Sequence, residues 1–218
     1  MSIPGQDKLK QIWAEVPPDY YFKLNYWQNL WHEWKWLVLK HLAVSENFVP
    51  KTILEVGCAG GHLSGLFSHI FPKARIIGID VHALAVMEAH KRFPKIMFKV
   101  ADAHKLPFKN DSFDLVICSE TIEHVVSPSR ILAEIERVMK KNGRAIIEMD
   151  SGSLLFRLIW FLWTQFGKGR VWKRAHLHPF LAKELEKLII NNGFIIKKKI
   201  FSHFGMAVSF LVMQNMNK

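Results

Sequence analysis

Acidic residues almost vanish from the last third of this chain. Ser151 to Lys218 holds eleven lysines and arginines against two acids, Glu184 and Glu186, a balance that argues against a cationic partner and predicts an anionic one. Tryptophan is missing from Leu37 to Ile159, although Trp13, Trp27, Trp31, Trp34 and Trp36 precede that gap and Trp160, Trp163 and Trp172 follow it. The centre is therefore a plain scaffold, and large aromatic surfaces belong to its flanks. Two cysteines, Cys58 and Cys118, are too few for a disulfide framework and suit a reducing compartment. No apolar run reaches the roughly 20 residues that a bilayer span needs. Met1 to Lys10 is polar and contains Pro4, Gly5 and Asp7, which does not read as a secretory signal, so the expected location is the cytoplasm. Half of the 218 residues are hydrophobic, which excludes global disorder and suits one α/β domain with additions.

What is present is a regular alternation. Strands are predicted at Thr52 to Val56, Arg75 to Ile79, Ile96 to Val100, Phe113 to Cys118 and Gly143 to Met149, with helices at Gly61 to Ile70, Ala83 to Arg92 and Pro128 to Lys141. Such alternation implies right-handed βαβ units and a mostly parallel, doubly wound sheet. A last helix from Pro179 to Asn192 stops at Gly193, and strands Phe194 to Phe201 and Met206 to Met213 then close a seven-stranded sheet as an antiparallel hairpin.

The turn after the first strand carries the first chemistry. Thr52 to Ser64 reads T-I-L-E-V-G-C-A-G-G-H-L-S, a tight strand-to-helix turn that only a glycine cluster makes easily. A dinucleotide fingerprint, G-x-G-x-x-G from Gly57, fails because Ala59 and His62 stand in the other two places. Glu55, two residues before Gly57, would repel a pyrophosphate and suits a cationic ligand such as an ammonium or a sulfonium. The second strand ends in Asp80, twenty-three residues after Gly57, where an acid can accept from both hydroxyls of a ribose.

With these residues the chain resembles the class I S-adenosyl-L-methionine-dependent methyltransferases, whose first motif is an acid followed by three alternating glycines. Glu55, Gly57 and Gly61 match, and Ala59 replaces the middle glycine, leaving less clearance for the cofactor. The resemblance implies a Rossmann-like fold and S-adenosyl-L-methionine as cofactor, with Asp80 on the ribose, and Val81 and His82 against the adenine. It also implies Asp102 on the adenine amino group, with the backbone of Ala103 beside it; a turn-forming Asp102 is the alternative. The fourth strand and its loop, F-D-L-V-I-C-S-E-T-I-E-H-V-V-S-P from Phe113 to Pro128, resemble the type-11 branch, which includes enzymes of quinone biosynthesis. Ser119 and Glu120 would approach the methyl donor. His124 would act as general base on a substrate hydroxyl. In the ubiquinone-pathway O-methyltransferases that this loop resembles, the places of Glu120, Glu123 and His124 hold a divalent ion, so no metal and that trio are both carried as readings. A purely structural role for the loop stays open.

The resemblance covers Lys51 to Asp150 closely and Leu177 to Lys199 loosely. Residues 1–50 form an N-terminal helical extension to the methyltransferase domain at 51–218, which carries an apolar-basic insertion at about 151–175. In the extension, Tyr20 to Val44 places Trp27, Leu30, Trp31, Trp34, Val38 and Leu42 at helical steps, as a core-packed helix, a lid or a lipid-facing surface. In the insertion, Ser153 to Phe166 is apolar nearly all round with Arg157 its only charge, and Lys168, Arg170, Lys173 and Arg174 follow. A buried core helix, a hydrophobic substrate pocket and an interfacial membrane contact would all use such a segment. His178 either lines the pocket or caps the last helix. The expected activity is methylation, favouring oxygen, of an apolar or lipid-linked small molecule, with an anionic membrane surface as a further partner. An RNA methyltransferase is less favoured, since Cys118-Ser119-Glu120-Thr121 is neither an Asn-Pro-Pro-Tyr type motif nor a Pro-Cys; a cofactor-binding protein without catalysis is the third reading.

Overall fold

The computed structural model describes residues 26–172, 176–178 and 180–216. The polar lead-in at 1–18, Trp13, the start of the first helix before Tyr26, Lys173, Arg174 and Pro179 lie outside the described residues.

Seven strands form one sheet: β1 (Thr52–Val56), β2 (Arg75–Asp80), β3 (Met97–Val100), β4 (Phe113–Ser119), β5 (Met139–Asp150), β6 (Phe194–Ser202) and β7 (Ala207–Gln214). Their order is β3-β2-β1-β4-β5-β7-β6. The first five pair in parallel, and β7 inserts antiparallel between β5 and β6. The helices are α1 (Tyr26–Ala43), α2 (His62–Ile70), α3 (Ala83–Arg92), α4 (Pro128–Val138), α5 (Leu154–Phe166) and α6 (Ala182–Asn191).

Successive strand side chains point to opposite faces, so a sheet covered on both sides needs apolar residues throughout its central strands. Leu54, Val56, Ile77 and Ile79 accordingly pack with Ile131 and Ile135 of α4 and Leu185 and Ile189 of α6. Ile53, Ile76, Leu115 and Ile117 pack on the other face with Leu39 and Leu42 of α1, Phe67 of α2 and Val86 of α3. The order of strands reverses between β1 and β4, and ligands of such sheets bind outside the carboxyl ends of the strands at that reversal.

The predicted α/β fold, the parallel sheet and the closing hairpin are all present. Several details differ for identifiable reasons. Helix α4 stops at Val138, because Met139 already pairs with Phe113 and the register then shifts to Leu115 with Arg144, leaving residues 140–143 as an irregularity in β5. Helix α6 starts at Ala182, where the Leu181 N–H donates to Glu184 Oε2 at 2.7 Å and closes its first turn. In α1 the fully buried line is Lys35, Leu39, Leu42 and Ala43, so the helix is rotated from the predicted stripe and Trp27 is left 74% exposed. Helix α5 is not the buried core helix: Thr164 is its one buried residue.

Candidate functional site

The turn between β1 and α2 is tied to the end of β2 by backbone and carboxylate together. The N–H groups of Gly57 and Cys58 both donate to Ile79 O at 2.9 Å, and the Ala59 N–H donates to Asp80 Oδ2 at 2.8 Å. Asp80 Oδ1 accepts the His82 N–H at 2.9 Å. Each carboxylate oxygen has two acceptor directions, so these bonds orient Asp80 and leave capacity for a pair of hydroxyls. Gly57 sits at φ +78°, and a Cβ there would lie 2.1 Å from Thr121 Oγ1, so the turn and the loop after β4 touch only because no side chain intervenes. Ala59 takes φ +43°, a conformation that glycine would adopt with less strain.

Glu55 is buried beneath this turn, where Ser64 Oγ of α2 donates to it, and burial pushes its carboxyl up to about 8. Burial pushes Asp80 up as well, against backbone N–H bonds that lower it. A cation placed over the turn would favour the ionised form of both acids. The Ala101 N–H donates to Asp80 O at 2.9 Å, which fixes the start of the next loop. There Asp102 Oδ1 accepts the His104 N–H at 2.9 Å and lies 2.7 Å from His104 Nδ1. His104 Nε2 accepts the Ser127 N–H at 3.1 Å, so its proton is on Nδ1 and donates to Asp102. Asp102 thus forms a turn and is aimed by a buried histidine, while Ala103 is buried and Val81 is exposed.

A second half of the site lies at the ends of β4 and β5. Ser119 Oγ donates to the fully buried Glu148, and Glu120, at φ +46°, forms an ion pair with Lys35 of α1. Burial alone would raise Glu120, but the Lys35 ammonium holds it down at about 2. Burial would lower Lys35, and Glu120, Glu148 and Asp150 together raise it. Glu148 is pushed up to about 7 by burial, and its Oε1 has no hydrogen-bond partner.

Glu123 and His124 stand on a short 3-10 turn, Ile122–His124, inside a cavity of about 400 Å³. Glu120, Asp150, His32 and His176 share its polar lining, and its aromatic wall comes from Trp27 and Trp31 of α1, Phe156, Trp160 and Trp163 of α5, and Trp172. The backbone N–H groups of Leu177 and His178 both donate to Glu123 O at 3.0 Å and strap that segment over the turn. The strap brings His176 within 4.7 Å of the His124 ring and 4.2 Å of the Trp160 ring, centroid to centroid. Burial drives His176 down to about 3 and His32 to about 4, so both rings are neutral. The donors that converge are Glu123, His124 and His176, all within 4.8 Å of one another, and the expected trio of Glu120, Glu123 and His124 does not form because Lys35 holds Glu120. Glu123 Oε2 is buried without a hydrogen-bond partner.

Helix α1 is fastened over this cavity at a second point. His203, between β6 and β7, lies 2.9 Å from Trp31 O through Nε2 and 2.9 Å from Ser202 Oγ through Nδ1, with its ring 3.9 Å from that of Trp31. A carbonyl only accepts, so Nε2 carries the proton and Nδ1 accepts from Ser202.

Lys35, Glu148, Asp150, His32, His176 and His203 belong to this site without having been singled out in the sequence. Glu148 alone carried a local signal, an ionisable residue inside the apolar strand A-I-I-E-M.

Comparison with known proteins gives the same fold. Residues 54–147 match the type-11 model of the family described as "Methyltransferase domain". A malonyl-[acyl-carrier protein] O-methyltransferase of Legionella pneumophila is 33% identical over 100 residues, 43% of this chain and 34% of that protein. A putative 23S rRNA (guanine-N(1)-)-methyltransferase of Bacillus subtilis is 34% identical over 134 residues, 60% of this chain and 45% of that protein. The chain spans 34% to 44% of the length of the first curated relatives that it matches. A Pyrococcus horikoshii protein of known structure superposes with a TM-score of 0.71 at 17% identity, over 93% of this chain and 98% of that one. The glycine turn tied to Asp80, the strand order and the match over residues 54–147 agree: residues 54–147 carry a class I S-adenosylmethionine-dependent methyltransferase domain of the type-11 branch.

Proposed function

We propose that this protein transfers a methyl group from S-adenosylmethionine to an apolar small molecule held in the tryptophan-lined cavity. The observation that carries this is the position of the cavity: Glu120 lines it one residue before Thr121, which touches the glycine turn at Val56 and Gly57, and the cavity continues into an aromatic wall drawn from both flanking segments. Residues 1–50 and 151–175 therefore select the acceptor, and residues 54–147 hold the donor.

The cofactor supplies an electrophilic methyl on a sulfonium. The chain orients the two reactants and keeps water out, which suffices for an in-line displacement. Asp80 and Asp102 are pre-aimed by backbone N–H groups and by His104, so the donor would meet acceptors already in place. Oxygen is the acceptor atom that this site serves best: His124 lies in the cavity wall and takes the hydroxyl proton. Among the described residues that line the cavity none is a lysine or arginine, so a phosphate-rich acceptor would meet no cation there, which weighs against RNA.

Calorimetry with S-adenosylmethionine, followed by turnover on a panel of apolar hydroxylated acceptors and on RNA, tests the proposal. Binding is expected in the intact protein and a loss of at least about tenfold in Asp80→Ala, the size of one good charged hydrogen bond. Binding without turnover on any acceptor would leave a sensor rather than an enzyme, and methylation of RNA alone would replace the substrate class.

A further inference from the structure

Helix α5 is apolar on all sides, and its two sides have different surroundings. Phe156, Trp160 and Trp163 face the cavity. Leu154, Leu155, Leu158, Phe161, Leu162 and Phe166 face outward, with Leu154 84% and Phe166 79% exposed. At 100° per residue these are two opposed arcs, and Ile159 lies on their border. Ile159 and Trp27 both line the cavity and both are exposed, so the cavity opens between α5 and α1 at an apolar rim.

Two arginines flank that face: Arg157 borders the outward arc and Arg170 is exposed just beyond the helix, and the sequence has no acid between Asp150 and Glu184. A second copy of the chain placed on this face by a two-fold axis would set the basic rim against itself. An anionic lipid surface offers apolar chains for the leucines and phenylalanines and headgroup charge for the cations. At 13 residues α5 is too short to cross a bilayer of about 30 Å, so it would lie in the plane of the interface.

We infer that the outward face of α5 docks on an anionic membrane and that the acceptor enters the cavity from the lipid phase between α5 and Trp27. This rests on the methyltransferase reading above only for what enters, not for the docking itself.

Flotation of the full-length protein with vesicles tests it, using phosphatidylcholine alone and an equimolar mixture with phosphatidylglycerol. Binding is expected to the mixture and to weaken with salt as exposed charges are screened. The double substitution Leu158→Glu/Phe161→Glu should weaken it by roughly tenfold or more, since two buried apolar side chains are exchanged for two charges. Both positions are exposed, so the fold should survive, which a melting curve checks. Tryptophan quenching by brominated lipid is the second measurement on the unaltered protein, expected because Trp27 lies at the rim. Absence of both flotation and quenching overturns the inference, as does equal binding by the double variant. A concentration-dependent dimer abolished by the same substitutions, or RNA binding without vesicle binding, overturns it too. S-adenosylmethionine binding measured on the same samples stays independent of these results, so the docking and the methyltransferase reading fail separately.

Discussion

Replacing Lys35 by methionine keeps the packed stem of that side chain and removes its ammonium from a site that is 3% exposed. Its partner Glu120, 26% exposed, sits at about 2 where a carboxyl of this kind would ordinarily titrate near 4.5. Each tenfold change in a protonation constant is about 1.4 kcal/mol, so the pair stabilises the folded chain by about 3 kcal/mol at neutral pH. Breaking a buried pair from one side typically costs about 3–5 kcal/mol, which agrees. Lys35→Met is therefore expected to lose about 3 kcal/mol at pH 7, or roughly 6–12 °C in Tm for a chain of this size.

The sign of the pH dependence is fixed by the direction of the shift. A depressed carboxyl contributes stability above its unfolded value and loses it as pH falls through its folded value, here from 4.5 toward about 2. At pH 3 the deficit of Lys35→Met should have fallen to about half. His32, Glu148 and Asp150 also face the ammonium, and a second substitution separates them: Lys35→Met/Glu120→Leu should recover most of the loss, because no charge is then left alone. Urea denaturation at pH 7 and pH 3 measures all of this. A deficit under about 0.5 kcal/mol at pH 7, a deficit of equal size at pH 3, or a double variant as weak as the single one would refute the reasoning.

Gly57→Ala should lower affinity for S-adenosylmethionine by at least tenfold in calorimetry, since its Cβ meets Thr121 Oγ1 at 2.1 Å at a φ of +78°; a strained φ and overpacking cost about 2–5 kcal/mol together. Glu148 has the opposite sign to Glu120. Its carboxyl is raised to about 7, so the folded chain loses about 3 kcal/mol as pH rises from 4.5 to 7, and Glu148→Gln should remove that share of the slope in melting experiments, leaving the share due to Glu55, which runs from 4.5 to about 8. Trp160→Ala removes the ring stacked 4.2 Å from His176 and should raise the KM for an apolar acceptor by about tenfold while calorimetry with S-adenosylmethionine is unchanged. In-line transfer needs no ion, so a chelator should leave turnover within about twofold. A loss restored by zinc or magnesium, and absent in His176→Ala, would instead make Glu123, His124 and His176 a metal site.

The arrangement of the glycine turn with the ends of β2, β3 and β4 was legible in the sequence because its parts follow one another along the chain. Gly57, Asp80, Asp102 and Ser119 each close a strand whose apolar run announces it, and a parallel sheet places successive strand ends at one edge whatever the details of packing. Local order was enough there. The tryptophan-lined cavity obeys a different rule, since its decisive contacts join residues far apart: Lys35 with Glu120, His203 with Trp31, His176 with His124. A helical wheel of α1 puts Lys35 at the edge of the predicted stripe, beside Leu42, and its burial was not legible because hydropathy carries no information about a carboxylate that arrives from another strand. The same blindness left α5 open. Its sequence suits a core helix, a substrate pocket and a membrane contact alike, because apolarity states only that each face avoids water, and here one face lines a cavity while the other is exposed. Composition shows how much surface must be covered, and topology alone shows by what. The tryptophans missing from the scaffold and the acids missing from the last third are thus two sides of one arrangement, in which the residues that would cover an apolar acceptor are the ones that leave a basic, apolar rim around its entrance.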